Sequence, residues 1–113
     1  MNIFSFSGRL NRAKYFWYSV LLWVIFVVLI LISSLLISKY VSSGLGIVLS
    51  IIFYVLLVIL EASLVVKRFH DLDRPGTHFW LLLIPIYNIY LSLVLLFQKG
   101  TAGENKYGPD PLA

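Results

Sequence analysis

YFWYSVLLWVIFVVLILISSLLIS, residues 15–38, is a run of 24 residues without a formal charge, closed on either side by Lys14 and Lys39. At helical rise such a run reaches roughly 36 Å, and the hydrocarbon core of a bilayer is about 30 Å thick. A secretory signal peptide also places positive charge ahead of an apolar stretch. Its apolar region, however, is only about 7–15 residues long and ends in a small-residue cleavage site. The run here is longer and lacks that site, so a retained transmembrane helix is expected over 15–38.

The rest of the chain agrees with lipid as its solvent. Of 113 residues, 60% are hydrophobic and 12% charged, whereas soluble domains carry about 25% charged residues. The net charge of +4 does not point to nucleic acid, because the basic residues flank apolar runs instead of forming a patch. That placement fits membrane orientation and attraction to anionic headgroups. With no cysteine, the chain has no disulfide, thiolate nucleophile or Cys-ligated metal.

A single membrane domain over 1–113 is expected, divided as follows. Residues 1–14 form an interfacial N-terminal segment, 15–38 the first span and 44–66 the second, after the polar turn KYVSSGLG at 39–46. Residues 67–78 are a charged connector, 79–97 a third apolar run, and 98–113 an irregular tail rich in Gly and Pro. The fold class is thus all-α integral membrane, a small bundle of three transmembrane helices with the third either kinked or re-entrant at Pro85. Proline removes a backbone donor and breaks or kinks a helix.

Charge orients the chain. Arg9, Arg12 and Lys14 precede the first span and Lys67, Arg68 and Arg74 follow the second, while the turn between carries only Lys39. Basic residues favour the cytoplasm, so the N-terminus and the 67–78 connector are expected there. A third crossing puts the tail, with Lys99 and Lys106, outside and leaves six positives against three. A re-entrant hairpin brings it back and gives eight against one.

Two groups of polar residues are candidate sites. Glu61, Tyr54 and Ser50, together with Ser43 and Arg68, share one face of the second span at helical spacing. A charged residue at that depth must face protein. It serves either as a proton or cation site or, as the simpler reading, as a contact reaching Arg12 or Lys14. The second group centres on KRFHDLDRPG, 67–76, which holds five of the chain's fourteen Asp, Glu, Lys and Arg residues. His70, Asp71, Asp73 and nearby His78 resemble metal ligands, but their spacing is not zinc-like. Asp71 and Asp73 are expected to pair with Arg68 and Arg74. A histidine beside carboxylates suits a general base, yet no Ser-nucleophile motif or phosphate loop supports an enzyme.

Three stretches in order, FSGRLNRAKYFWY (6–18), KRFHDLDRPG (67–76) and KGTAGENKYGPDP (99–111), resemble the bacterial inner-membrane family called domain of unknown function 805, the YhaH/YhaI type. The resemblance covers essentially the whole chain. Gly8, Arg9 and Arg12 match the first motif; Arg68, His70 and Asp71 match an Arg-x-His-Asp centre; Asn105, Tyr107, Gly108 and Pro109 match the tail. RPGTHFW, 74–80, departs from the family's usual Arg-Ser-Gly-Trp. The resemblance implies a small protein of the bacterial cytoplasmic membrane and no particular activity.

Arg9, Arg12, Arg68, His70, Asp71, Asp73, Arg74 and Asn105 are therefore the candidate interfacial cluster, with the carboxylates available to Arg9 and Arg12. The expected function is non-enzymatic: a membrane component that binds partner proteins or anionic lipid headgroups, with self-association or another membrane protein as partner. Alternatives are a transport or channel subunit using Glu61, and a membrane enzyme acting on a lipid headgroup through His70 and Asp71. No catalytic residue, cofactor, metal or nucleic acid is assigned.

Overall fold

The computed structural model describes residues 5–40 and 43–112, and within them the side chains of all but 37–40 and 43. Residues 1–4, Val41, Ser42 and Ala113 therefore lie outside the described residues, as does the side chain of Ser43 on the polar stripe. The elements are α1 (Arg12–Tyr40), α2 (Ser43–Asp71), a 3₁₀ segment (Gly76–Leu83) and α3 (Tyr87–Phe97). No β-strand occurs among the described residues beyond one backbone bridge, Asn105 to Gly108.

Local chemistry sets the ends of the long helices. Asn11 is the N-cap of α1: its side-chain oxygen accepts from the Lys14 amide at 2.8 Å and its carbonyl from Tyr15 at 2.9 Å. From there α1 is apolar on all sides, as befits a helix surrounded by lipid. The end of α2 is a Schellman turn, in which the Arg74 amide donates to the Phe69 carbonyl at 2.8 Å and the Asp73 amide to His70 at 3.0 Å. Asp73 takes the left-handed conformation that this turn requires, at φ 59°, and Pro75 then prevents the helix from resuming.

A non-glycine residue in that conformation costs roughly 1–2 kcal/mol. Asp73→Gly is therefore expected to raise thermal stability by about 1 kcal/mol, read from melting in detergent. A loss of stability would mean that the Asp73 side chain has a role beyond the turn.

Two helices, α1 and α2, are long and apolar enough to cross a membrane. The 79–97 run takes a different form. Its first part belongs to the 3₁₀ segment and its last to α3, which has 11 residues. Each piece reaches only about 16 Å. Between them the Tyr87 amide donates to the Pro85 carbonyl at 2.8 Å, closing a γ-turn around Ile86 at φ 70° and ψ −51°. The core is gathered at one end of the molecule, where Leu10, Tyr15, Leu64, Val65, Phe69, Leu91 and Leu95 pack together. Along the remaining length of α1 and α2 the apolar side chains are mostly exposed, so lipid must cover them.

Candidate functional site

At the packed end, the end of α2 meets the N-terminal segment and the tail. Two backbone hydrogen bonds fix the three strands of chain: the Leu10 amide donates to the Lys67 carbonyl at 3.1 Å, and the Thr101 amide to the Asp71 carbonyl at 2.7 Å. Inside this frame Asp71 bridges two arginines. Its Oδ1 lies 2.9 Å from Arg9 Nη2 and its Oδ2 2.8 Å from Arg68 Nη1, with all three side chains at most 4% exposed.

One carboxylate does not saturate two guanidiniums, and backbone oxygens supply the remainder. Arg9 Nη1 donates to the carbonyls of Gly103 (2.6 Å) and Gly108 (3.2 Å), and Nη2 to Thr101 (2.6 Å). Its Nε donates to Asp71 Oδ1 at 3.1 Å. Arg68 Nε donates to the Leu95 carbonyl at 2.8 Å, and its Nη2 to that of Gln98. Arg12 Nη1 donates to Phe97 O at 2.9 Å. Leu95, Phe97 and Gln98 carry the orphan carbonyls at the end of α3, so Arg12 and Arg68 together cap that helix.

A second layer lies over the tail. The His70 ring stacks on Tyr107, with centroids 4.1 Å apart and planes 3° from parallel. Its Nδ1 is 2.9 Å from the Gly8 carbonyl, an oxygen that only accepts, so this nitrogen carries the proton. Asn105 Nδ2 donates to the His70 carbonyl at 2.9 Å, and Lys106 Nζ sits 5.2 Å from the centre of the Tyr107 ring. Further along, Asp110 accepts from the amides of Leu112 and Gly103 at 2.9 Å each. These two bonds hold its carboxyl below the usual aspartate range.

The structure thus brings together Arg9, Arg68, His70, Asp71 and Asn105, with Arg12 at the edge through its bond to Phe97. Asp73 and Arg74 behave differently. Among the described residues neither forms an ion pair, because the Schellman turn directs this part of the chain away from the cluster. The expected Asp73–Arg74 pairing is corrected accordingly. So is the expected contact of Asp71 with Arg12, which turns to α3 instead. His70, Asp71, Asp73 and His78 do not converge as a metal-binding group.

The intramembrane stripe is also divided. Glu61 does not reach Arg12 or Lys14; its Oε2 accepts from Ser19 at 3.1 Å. Its Oε1 is buried with no hydrogen-bond partner among the described residues. Tyr54 is 52% exposed, and its ring lies 6.1 Å from that of Phe26. Ser50 is only partly covered. Sequence reasoning missed Asn11 and Thr101, and above all the carbonyl acceptors, which no side-chain letter announces; it marks Gly100 as a helix C-terminal cap but not as a neighbour of Asp71.

The comparisons point to the inner membrane. A family model described as a protein of unknown function (DUF805) matches residues 3–109. The chain is 33% identical over 110 residues to the inner membrane protein YhaH of Escherichia coli K12, covering 97% of this chain and 89% of YhaH. It is 30% identical over 111 residues to the inner membrane protein YhaI of the same strain, covering 97% and 88%. No solved structure matches.

Proposed function

The chain belongs to the DUF805 family of bacterial inner-membrane proteins, and within it we propose that this protein is a non-enzymatic membrane component. It presents a pre-assembled cytoplasmic face to partner proteins or anionic lipid headgroups. The observation that carries the reading is the Arg9–Asp71–Arg68 lock, whose charged groups are buried and occupied by one another and by backbone carbonyls. A catalytic acid or base must reach a substrate proton. Asp71 is engaged on both oxygens, and His70 Nδ1 is held by Gly8. The cluster fits a fastener for the face better than a reaction centre.

In this reading the 79–97 run enters the membrane and returns at Ile86 without crossing. The N-terminal segment, connector and tail then share the cytoplasmic side, which gives the stronger charge bias of eight positives against one. Non-helical backbone within the membrane requires shielding by protein, and the 3₁₀ segment contributes Phe79, Leu81 and Leu82 to packing against the core.

Because the chain lacks cysteine, sidedness is directly measurable. Ser7→Cys, Ser43→Cys, Thr77→Cys and Ala102→Cys are each treated with a membrane-impermeant maleimide in intact cells. Ala102→Cys is expected to stay unlabelled until the cells are opened, like Ser7→Cys and Thr77→Cys. Labelling from outside, like Ser43→Cys, would overturn the shared face.

A further inference from the structure

A groove of about 410 Å³ opens at the rim of the cluster, lined by Arg12, Ala13, Phe16, Trp17, Leu96 and Phe97. Its walls come from the first turns of α1 and the last of α3. Arg12 is its charged lining residue, with its guanidinium bonded to the Phe97 carbonyl. Trp17 is 65% exposed and Phe97 68%. These are large apolar surfaces where aromatic side chains meet the headgroup level of a bilayer.

We propose that this groove is a binding site for one anionic phospholipid. Its phosphate sits on Arg12, and the upper part of an acyl chain lies along Phe16, Trp17 and Leu96. The proposal rests on the headgroup-binding reading above and gives it a place. Charge complementarity selects the occupant. Arg9, Arg12 and Arg68 share this end of the molecule with Asp71, which both Arg9 and Arg68 already contact. Of the three arginines, Arg12 is the exposed one, and its bond to the Phe97 carbonyl engages Nη1. A guanidinium has five N–H donors in a planar fork, more than one carbonyl uses, and such donors suit phosphate oxygens. Arg12 is the one charged residue among those that line the groove. A zwitterionic lipid satisfies the apolar walls equally well but gains less from the rim. A water-soluble phosphate uses the rim but leaves the walls exposed.

Trp17 reports on the groove directly. The other two tryptophans are replaced, as Trp23→Phe and Trp80→Phe, and the full chain is reconstituted in phosphatidylcholine vesicles. A minor fraction of the lipid is brominated, either phosphatidylglycerol or phosphatidylcholine, and Trp17 fluorescence is recorded. Quenching by brominated phosphatidylglycerol is expected to show about fivefold enrichment at Trp17 over its bulk fraction. Arg12→Gln should reduce this to the bulk value. Since Arg12 also caps α3, Ala13→Leu serves as an independent variant: it fills the groove, leaves the cap in place and should abolish the enrichment too.

Equal quenching by the two brominated lipids would overturn the proposal and leave only ordinary annular lipid. Quenching by neither would overturn it as well, because protein, such as a second copy of the chain, would then cover the groove. Maleimide labelling reads the tail and Trp17 reads the groove, so the shared-face reading and the lipid site fail separately.

Discussion

Asp71→Asn is expected to separate the three segments that the cluster joins. Asparagine keeps the size of the side chain and one acceptor oxygen but removes the charge, and it turns an NH₂ group toward a guanidinium. Arg9 and Arg68 would remain buried, with side chains at most 1% exposed and no counter-ion between them. Removing one member of a buried ion pair costs about 3–5 kcal/mol, a large part of the stability of a small domain. Melting in detergent should fall accordingly, and trypsin should cut at Lys99 and Lys106 in folded protein where the wild type resists. Asp73→Asn is the control: Asp73 is exposed and its side chain forms no ion pair among the described residues, so an effect below about 0.5 kcal/mol is expected. Wild-type melting and an uncut tail in Asp71→Asn would refute the lock.

Replacing the whole triad by apolar residues should not restore stability, although buried ion triads often tolerate that exchange. Here the arginines also serve the carbonyls of Leu95, Gln98, Thr101, Gly103 and Gly108. An apolar triad leaves those oxygens without donors, at about 1–3 kcal/mol for each that stays buried.

The parts of this structure legible in the sequence are those that depend on side-chain type over a long window. The uncharged runs at 15–38 and 44–66 announce helices surrounded by lipid, and the motif cations mark one end of them. The hidden parts depend on backbone. Nothing in IPIYNIY requires Ile86 to take a positive φ, an unfavourable state for a β-branched residue. Yet that single residue turns the chain and sends the end of α3 back to Arg68. Likewise, Arg9 was recognisable as a motif residue, but three of its acceptors are tail carbonyls that any residue could supply. Asp73 read as an ion-pair partner because it is a carboxylate; its position is set by the helix-terminating turn. Glu61 was identified as facing protein, while its partner, Ser19, was lost among the neutral residues of α1.

Gly100→Ala is expected to break the same cluster from the other side, through space instead of charge. A Cβ on Gly100 would overlap Asp71 Oδ2 and stand 2.8 Å from Oδ1. The Gly100 backbone is outside the left-handed region, so its conformation does not demand glycine. The carboxylate has no room to yield, because moving it breaks its contacts with Arg9 and Arg68 together. If the chain retreats instead, the 2.7 Å bond from the Thr101 amide to Asp71 is lost, and with it the carbonyl on which Arg9 rests. Overpacking a core usually costs about 1–3 kcal/mol, and the upper end is expected here. Gly103 and Gly108 present the opposite case, with φ +75° and +138° but nothing within 4 Å of an added Cβ. Alanine there strains the backbone without touching Asp71. Coupling distinguishes the two mechanisms: in an Asp71→Ala background the Gly100→Ala penalty should largely disappear, whereas those of Gly103→Ala and Gly108→Ala should persist. A Gly100→Ala protein that melts within about 0.5 kcal/mol of wild type would place the Asp71 carboxylate elsewhere and remove the tail from the lock.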